Sequence, residues 1–106
     1  MPTIRQLRYF VAVTEKLHFR LAAEACHVTQ PTLSMQLREL ELRLGVQLVE
    51  RNRHKVLITP IGREIEKCAR SVLRDVQDIV RLAEQDRTAL GGIQKVGALP
   101  TLGPYL

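Results

Sequence analysis

Residues 17–44 read LHFRLAAEACHVTQPTLSMQLRELELRL. Phe19, Ala22, Ala23 and Cys26 fall at i, i+3, i+4 and i+7, one face of a short helix predicted over about 19–25. The paired alanines allow a partner helix to approach closely. Thr29 is a good N-cap, and Pro31 suits a first helical turn, where no intrahelical N–H bond is lost. A second helix is therefore predicted over 30–44. Its buried stripe is Leu33, Leu37, Leu40 and Leu44, at 4-3-4 spacing. At about 100° per residue the opposite side carries Pro31, Thr32, Met35, Arg38 and Glu39, with Gln30 and Ser34 on its flank.

Leu7, Phe10, Val11 and Thr14, with Ile4 and Val13 alongside, predict a first helix over 4–15. Gly45 supplies a left-handed cap after Leu44. Residues 47–59 alternate around the basic run Arg51-Asn52-Arg53-His54 and suggest two short strands, a wing. Thr59-Pro60 repeats the N-cap and early-proline chemistry, and a helix then runs to Leu90, where Gly91-Gly92 stops it. Such a helix would be about 45 Å long, too long for this small domain to bury. Ile65, Ala69, Val72, Val76, Ile79 and Ala83 follow a 4-3-4-3-4 heptad seam, widened by Leu73, Val80 and Leu82. A second helix is its expected partner; the other reading folds it back on its own domain. Ile93–Val96 reads as a first strand and the rest as loop. Fourteen residues, 93–106, are too few for a core of their own.

Three segments are expected: 1–59, a winged head; 60–90, a linker and dimerisation helix; 91–106, a hinge and the start of a further, truncated domain. The fold class is mainly α.

The 106 residues carry a net charge of +5. Residues 1–59 hold nine Lys/Arg against five Asp/Glu, whereas residues 60–90 hold six of each. The basic excess thus sits in the head, as a phosphate-binding surface requires. No apolar run reaches the roughly 18 residues of a membrane span, and Met1–Arg5 lacks the apolar block of a secretory signal, so a cytoplasmic protein without membrane contact is expected. Two cysteines make no disulfide framework; Cys26 and Cys68 read as small hydrophobes.

Two amphipathic helices joined by a tight turn are the sequence form of a helix-turn-helix, whose second helix enters the major groove of DNA. Gln30 can make a bidentate contact to adenine. Thr32 and Ser34 could reach bases or phosphates, although Ser34 could instead bond a carbonyl one turn back. Arg38 suits a guanine or a phosphate, or a surface pair with Glu41 or Glu39. Met35 either touches a thymine methyl or is an ordinary exposed methionine. Pro31 lies on the same face. His18 and Arg20 stand at a helix N-terminus, a phosphate site. Arg51, Arg53, His54 and Lys55 suit a narrow minor groove, or form a solvated charge run.

The stretch LHFRLAAEACHVTQPTLSMQLRELELRLGVQLVER resembles the amino-terminal winged helix-turn-helix of LysR-type transcriptional regulators, over roughly residues 3–90. The spacing of Phe19, Ala22-Ala23, Gln30-Pro31, Leu33-Ser34, Leu40-Glu41, Leu44-Gly45 and Glu50-Arg51 carries it. His18-Phe19-Arg20, Cys26-His27-Val28 and the terminal PTLGPYL are similar to the OxyR-type peroxide sensors of that family. Pairing of two linker helices in a homodimer would put two recognition helices on one duplex, so inverted-repeat half-sites are expected; the resemblance implies a dimer of dimers in the full-length protein and a peroxide-dependent switch in a regulatory domain beyond residue 106. That family's reactive cysteine pair belongs to that domain, so redox sensing is not carried to Cys26 or Cys68.

The rival classes are weak. His18, Cys26, His27 and His54 match no zinc spacing, and there is no phosphate loop, nucleophilic triad or carboxylate pair, so neither an enzyme nor a cofactor or metal site is expected. The remaining alternative is a dimeric helical protein-interaction module with a basic head. Steeply salt-dependent, sequence-selective duplex binding separates the two.

Overall fold

The computed structural model describes residues 1–52 and 55–90. The expected stop at Gly91-Gly92, the strand at Ile93–Val96, and Arg53 and His54 lie outside the described residues. The order is α1 (Ile4–Lys16), α2 (Phe19–Ala25), α3 (Gln30–Leu44), β1 (Val49–Arg51), β2 (Val56–Ile58) and α4 (Pro60–Leu90). The strands pair antiparallel, with Val49 opposite Ile58, Glu50 opposite Leu57 and Arg51 opposite Val56.

Each helix starts where its local chemistry dictates. Thr3 caps α1 in a reciprocal capping box with Gln6. His18 caps α2, its Nδ1 accepting from the Leu21 N–H at 3.3 Å. The Thr29 hydroxyl accepts from the Thr32 N–H, and Pro31 occupies the first turn of α3. Thr59 accepts from the Gly62 N–H at 3.0 Å and so opens α4. Gly45 closes α3 in the left-handed region, at φ 72°. Leu17 and His27 also adopt positive φ, the first closing α1 and the second inside the turn between α2 and α3.

Two compact units result, Met1–Leu73 and Arg74–Leu106. The core of the first comes from α1 to β1: Tyr9, Phe10, Ala12, Val13, Ala22, Ala23, Leu33, Leu37, Leu40, Leu48 and Val49. The α3 stripe is as expected, with Leu33, Leu37 and Leu40 fully buried and Leu44 partly so. Each buried leucine contributes about 1.5–3 kcal/mol of transfer free energy. On α1 the burial is broader than the periodicity implied, Val11 through Thr14 all being covered, while Ile4 stays exposed. Buried Gln6 satisfies its amide locally: Oε1 accepts from the Thr3 N–H, and Nε2 donates to Gln36 Oε1 at 3.1 Å.

Two long-range anchors fix the wing. The Glu41 carboxylate accepts from the N–H groups of Leu48 at 2.7 Å and Val49 at 3.1 Å, tying α3 to β1. Gly62 lies so close to the strands that a Cβ there would meet the Leu48 carbonyl at 2.5 Å and Ile58 Cγ2 at 2.9 Å.

Ala69 is buried, and Ile65 is half-buried against the core of its own chain. Ile65 thus packs on its own chain at the start of the seam. Arg70 reinforces this docking through ion pairs to Glu15 on α1 at 3.0 Å and to Glu66 at 2.9 Å. Arg63 also pairs with Glu66 at 2.9 Å. Burial pushes the Glu66 carboxyl up, but hydrogen bonds from Arg70 and Arg63 outweigh it and hold the group below its ordinary range.

The described part of the second unit is the helix alone. Ile79 and Leu82 are each 65% exposed, and Val80 is exposed too. Asp78 and Arg81 pair along it. No described helix is long and apolar enough to cross a membrane.

Candidate nucleic-acid interface

The outer face of α3 is formed as its spacing requires. Gln30, Pro31, Met35 and Arg38 are exposed, and Thr32 and Ser34 are half-buried. Both partners once open to Arg38 are engaged elsewhere: Glu39 pairs with Arg43 at 3.3 Å, and Glu41 holds β1. Among the described residues Arg38 makes no ion pair, and the Ser34 hydroxyl makes no bond to a carbonyl one turn back. Their polar groups thus remain open to a ligand. Thr32 is partly committed, its hydroxyl accepting from that of Thr29 at 2.9 Å.

The turn and the wing bring further residues to this face. Leu17, His18, Phe19, Arg20, Gln30, Arg51, Asn52, Lys55 and Val56 line an open cleft of about 330 Å³. A second, smaller depression is lined by Ser34, Met35, Arg38 and Arg51. The cleft gathers the N-termini of α2 and α3 with three cationic side chains, Arg20, Arg51 and Lys55. Helix N-termini carry partial positive charge and free N–H groups, so the assembly favours an anionic backbone.

Individual members differ from the sequence expectation. His18 uses Nδ1 as the α2 cap, which leaves Nε2 as its only ring nitrogen for a ligand. Arg20 pairs with Glu24 at 2.9 Å, but both side chains are more than half exposed. Such a pair is worth about 0.3–0.5 kcal/mol and yields readily to a phosphate. Arg51 is not a wing-tip residue. Its guanidinium carbon lies 4.7 Å from the centroid of the Phe19 ring, and its side chain borders both depressions beside α3. Lys55 stays with the wing, whose turn closes through the Asn52 N–H donating to the Lys55 carbonyl at 2.9 Å. Arg53 lies outside the described residues.

Three contributors went unread in the sequence. Asn52 is an exposed amide on the cleft wall, and Phe19 lines the cleft as well as the core. Glu41 positions the strand that carries Arg51. The Glu50-Arg51 and Leu40-Glu41 pairs marked the right stretches, but the contacts join residues far apart in the chain.

The cysteines are not part of this surface. Cys26 is half-buried and Cys68 exposed, both free thiols. Burial pushes the Cys26 thiol up, against a smaller opposing effect of Arg8. Among the described residues no cluster of His, Cys, Asp or Glu could hold a metal ion.

This geometry has known counterparts. The chain is 50% identical over 103 residues to the DNA-binding transcriptional dual regulator OxyR of Escherichia coli K12, covering 97% of this chain and 34% of that protein. It is also similar to a hydrogen peroxide-inducible genes activator of Dickeya chrysanthemi, again 50% identical with the same coverage. It thus spans about a third of the length of these curated relatives. Among solved structures, a Corynebacterium glutamicum OxyR C206 mutant superposes with a TM-score of 0.77 at 41% identity, over 80% of this chain and 27% of that one. The BenM_DBD/benA site 1 DNA complex gives 0.75 at 40% identity, over 84% of this chain and 98% of that one. Residues 4–63 match the family described as bacterial regulatory helix-turn-helix protein, lysR family. With that match spanning more than half of its length, this chain belongs to the lysR family of bacterial regulatory helix-turn-helix proteins.

Proposed function

We propose that this chain is the sequence-specific DNA-binding part of an OxyR-like transcriptional regulator. The observation that carries the reading is the single cleft uniting the α2 and α3 N-termini with Arg20, Gln30, Arg51 and Lys55. In this reading α3 enters the major groove, Gln30 and Arg38 read bases, and Arg20 and His18 hold phosphate. The wing, with Lys55 and Arg53, follows the minor groove. The domain plan is a head over 1–59, a linker helix over 60–90 and a hinge over 91–106 leading to a regulatory domain that responds to peroxide. DNA as the partner implies the bacterial cytoplasm, and a binding role implies no catalysis.

Dimerisation is proposed through α4, along the seam of Ile65, Ala69, Val72, Val76, Ile79 and Ala83. A two-fold axis between such helices presents two recognition helices to inverted-repeat half-sites. A dimer of dimers is proposed for the full-length protein.

Duplexes selected by the chain from a random pool test the base-reading roles. Gln30→Ala should cost about 1–3 kcal/mol on the selected duplex and relax preference at one position per half-site. Arg20→Ala should weaken selected and scrambled duplexes alike and lower the salt slope by about one unit. Altered base preference in Arg20→Ala, with Gln30→Ala unchanged, would overturn this docking of α3.

A further inference from the structure

Arg51 stands apart from the other cations of the interface. It borders both the cleft containing Gln30 and the depression formed by Ser34, Met35 and Arg38. Among the described residues it forms no ion pair and no side-chain hydrogen bond. Its guanidinium lies over the Phe19 ring at 4.7 Å, inside the range of a cation–π contact. Arginine is a long, rotamer-rich side chain, and ordering it on binding opposes affinity. Stacking on a ring restricts the guanidinium plane while leaving its N–H donors free. Carboxylate pairing, as in Arg20–Glu24, occupies donors instead.

We propose that Phe19 is a positioning residue for the DNA interface, its ring holding the Arg51 guanidinium ready for contact where the two depressions meet. Phe19 suits this role because it is fixed from behind. It occupies the first turn of α2 and packs against the core, so its exposed part is a rigid platform. Arg51 is delivered from the other side by β1, which Glu41 ties to α3 and which pairs with Val56 of β2. The head thus builds two separate supports that converge on one guanidinium. This inference rests on the DNA-binding reading and adds to it a residue that acts through Arg51.

The test is a double-mutant cycle on the 106-residue chain, read against a duplex it selects from a random pool. The proteins are the parent, Phe19→Leu, Arg51→Ala and the double variant, with Phe19→Tyr as the conservative control. Phe19→Leu keeps an apolar side chain in the core and removes the ring. It is expected to weaken binding by about two- to fivefold, the range of an exposed cation–π contact. In the Arg51→Ala background it should cause no further loss, and Phe19→Tyr should bind like the parent. Losses from Phe19→Leu and Arg51→Ala that multiply, or equal losses from the Leu and Tyr variants, would overturn the proposal.

A measurement without DNA separates this idea from the reading beneath it. In the parent, the Arg51 Nε–H resonance should show an upfield ring-current shift that vanishes in Phe19→Leu and persists in Phe19→Tyr. An unshifted resonance in the parent overturns the proposal without requiring any variant to fold. A shifted resonance together with no duplex preference overturns the DNA-binding reading, and with it the role given to Phe19.

Discussion

The two ends of α4 carry the same heptad pattern and meet opposite environments. Near the head, Ile65 packs on the core, Ala69 is buried and Arg70 bridges to Glu15. Further along, Ile79 and Leu82 are each 65% exposed in the chain by itself. A repeat read along one helix is therefore not one surface. The first turns of the seam meet the chain's own fold, and the later ones stand exposed, where the proposed second helix would lie. The described buried and half-buried positions of the 31-residue α4 all lie between its start and Val76.

The strongest way to break this comparison is to cut into each end. Leu37→Ala in the head should lower unfolding free energy by about 2–5 kcal/mol, since it opens a cavity among fully buried leucines. Leu82→Ala should change the head's denaturation midpoint by less than about 0.5 kcal/mol equivalent. Comparable losses from both would mean that Leu82 is covered as fully as the core of the head.

The proposed seam is tested by placing charge in it. Val72→Asp/Val76→Asp should convert a dimer to a monomer in sedimentation equilibrium, because a paired seam would bury carboxylates without partners. The head should keep its helical circular dichroism. A dimer that survives the change would locate the interface elsewhere.

A smaller effect sharpens the near end. Gly62→Ala forces a methyl against the Leu48 carbonyl, a backbone atom that cannot swing aside. A destabilisation of about 1–3 kcal/mol is expected in urea denaturation. Gly45→Ala makes a useful contrast: nothing crowds that site, so any loss there reflects its positive φ alone.

The smallest effect is electrostatic. Hydrogen bonds from Arg70 and Arg63 hold the Glu66 carboxyl below its ordinary value of 4.5 in the folded chain. A depressed folded value means that the contribution is complete above the unfolded pKa and is lost as pH falls through the folded one. Stability of the parent should therefore drop below about pH 4.5 more steeply than that of Glu66→Gln. Parallel curves across that window would show that the Arg63–Glu66–Arg70 cluster adds nothing to the docking of α4.

Several elements were legible in the sequence because their causes are local. Thr29 and Pro31 start α3, Gly45 ends it, and Thr59-Pro60 starts α4, each through groups within about one turn. The leucine stripe of α3 likewise follows from spacing alone, and so does the outward set of Gln30, Met35 and Arg38. Family membership was legible for the same reason, as a string of spaced residues. What only tertiary structure decided are contacts between distant positions: Arg51 on Phe19, Glu41 on the β1 amides, Gly62 under Leu48, and Ile65 against the core of its own chain. Periodicity tells which residues must leave water, but not which surface will cover them. That depends on where the chain returns, and here β2 and the first turns of α4 return to the core, through Val56, Ile58 and Ile65.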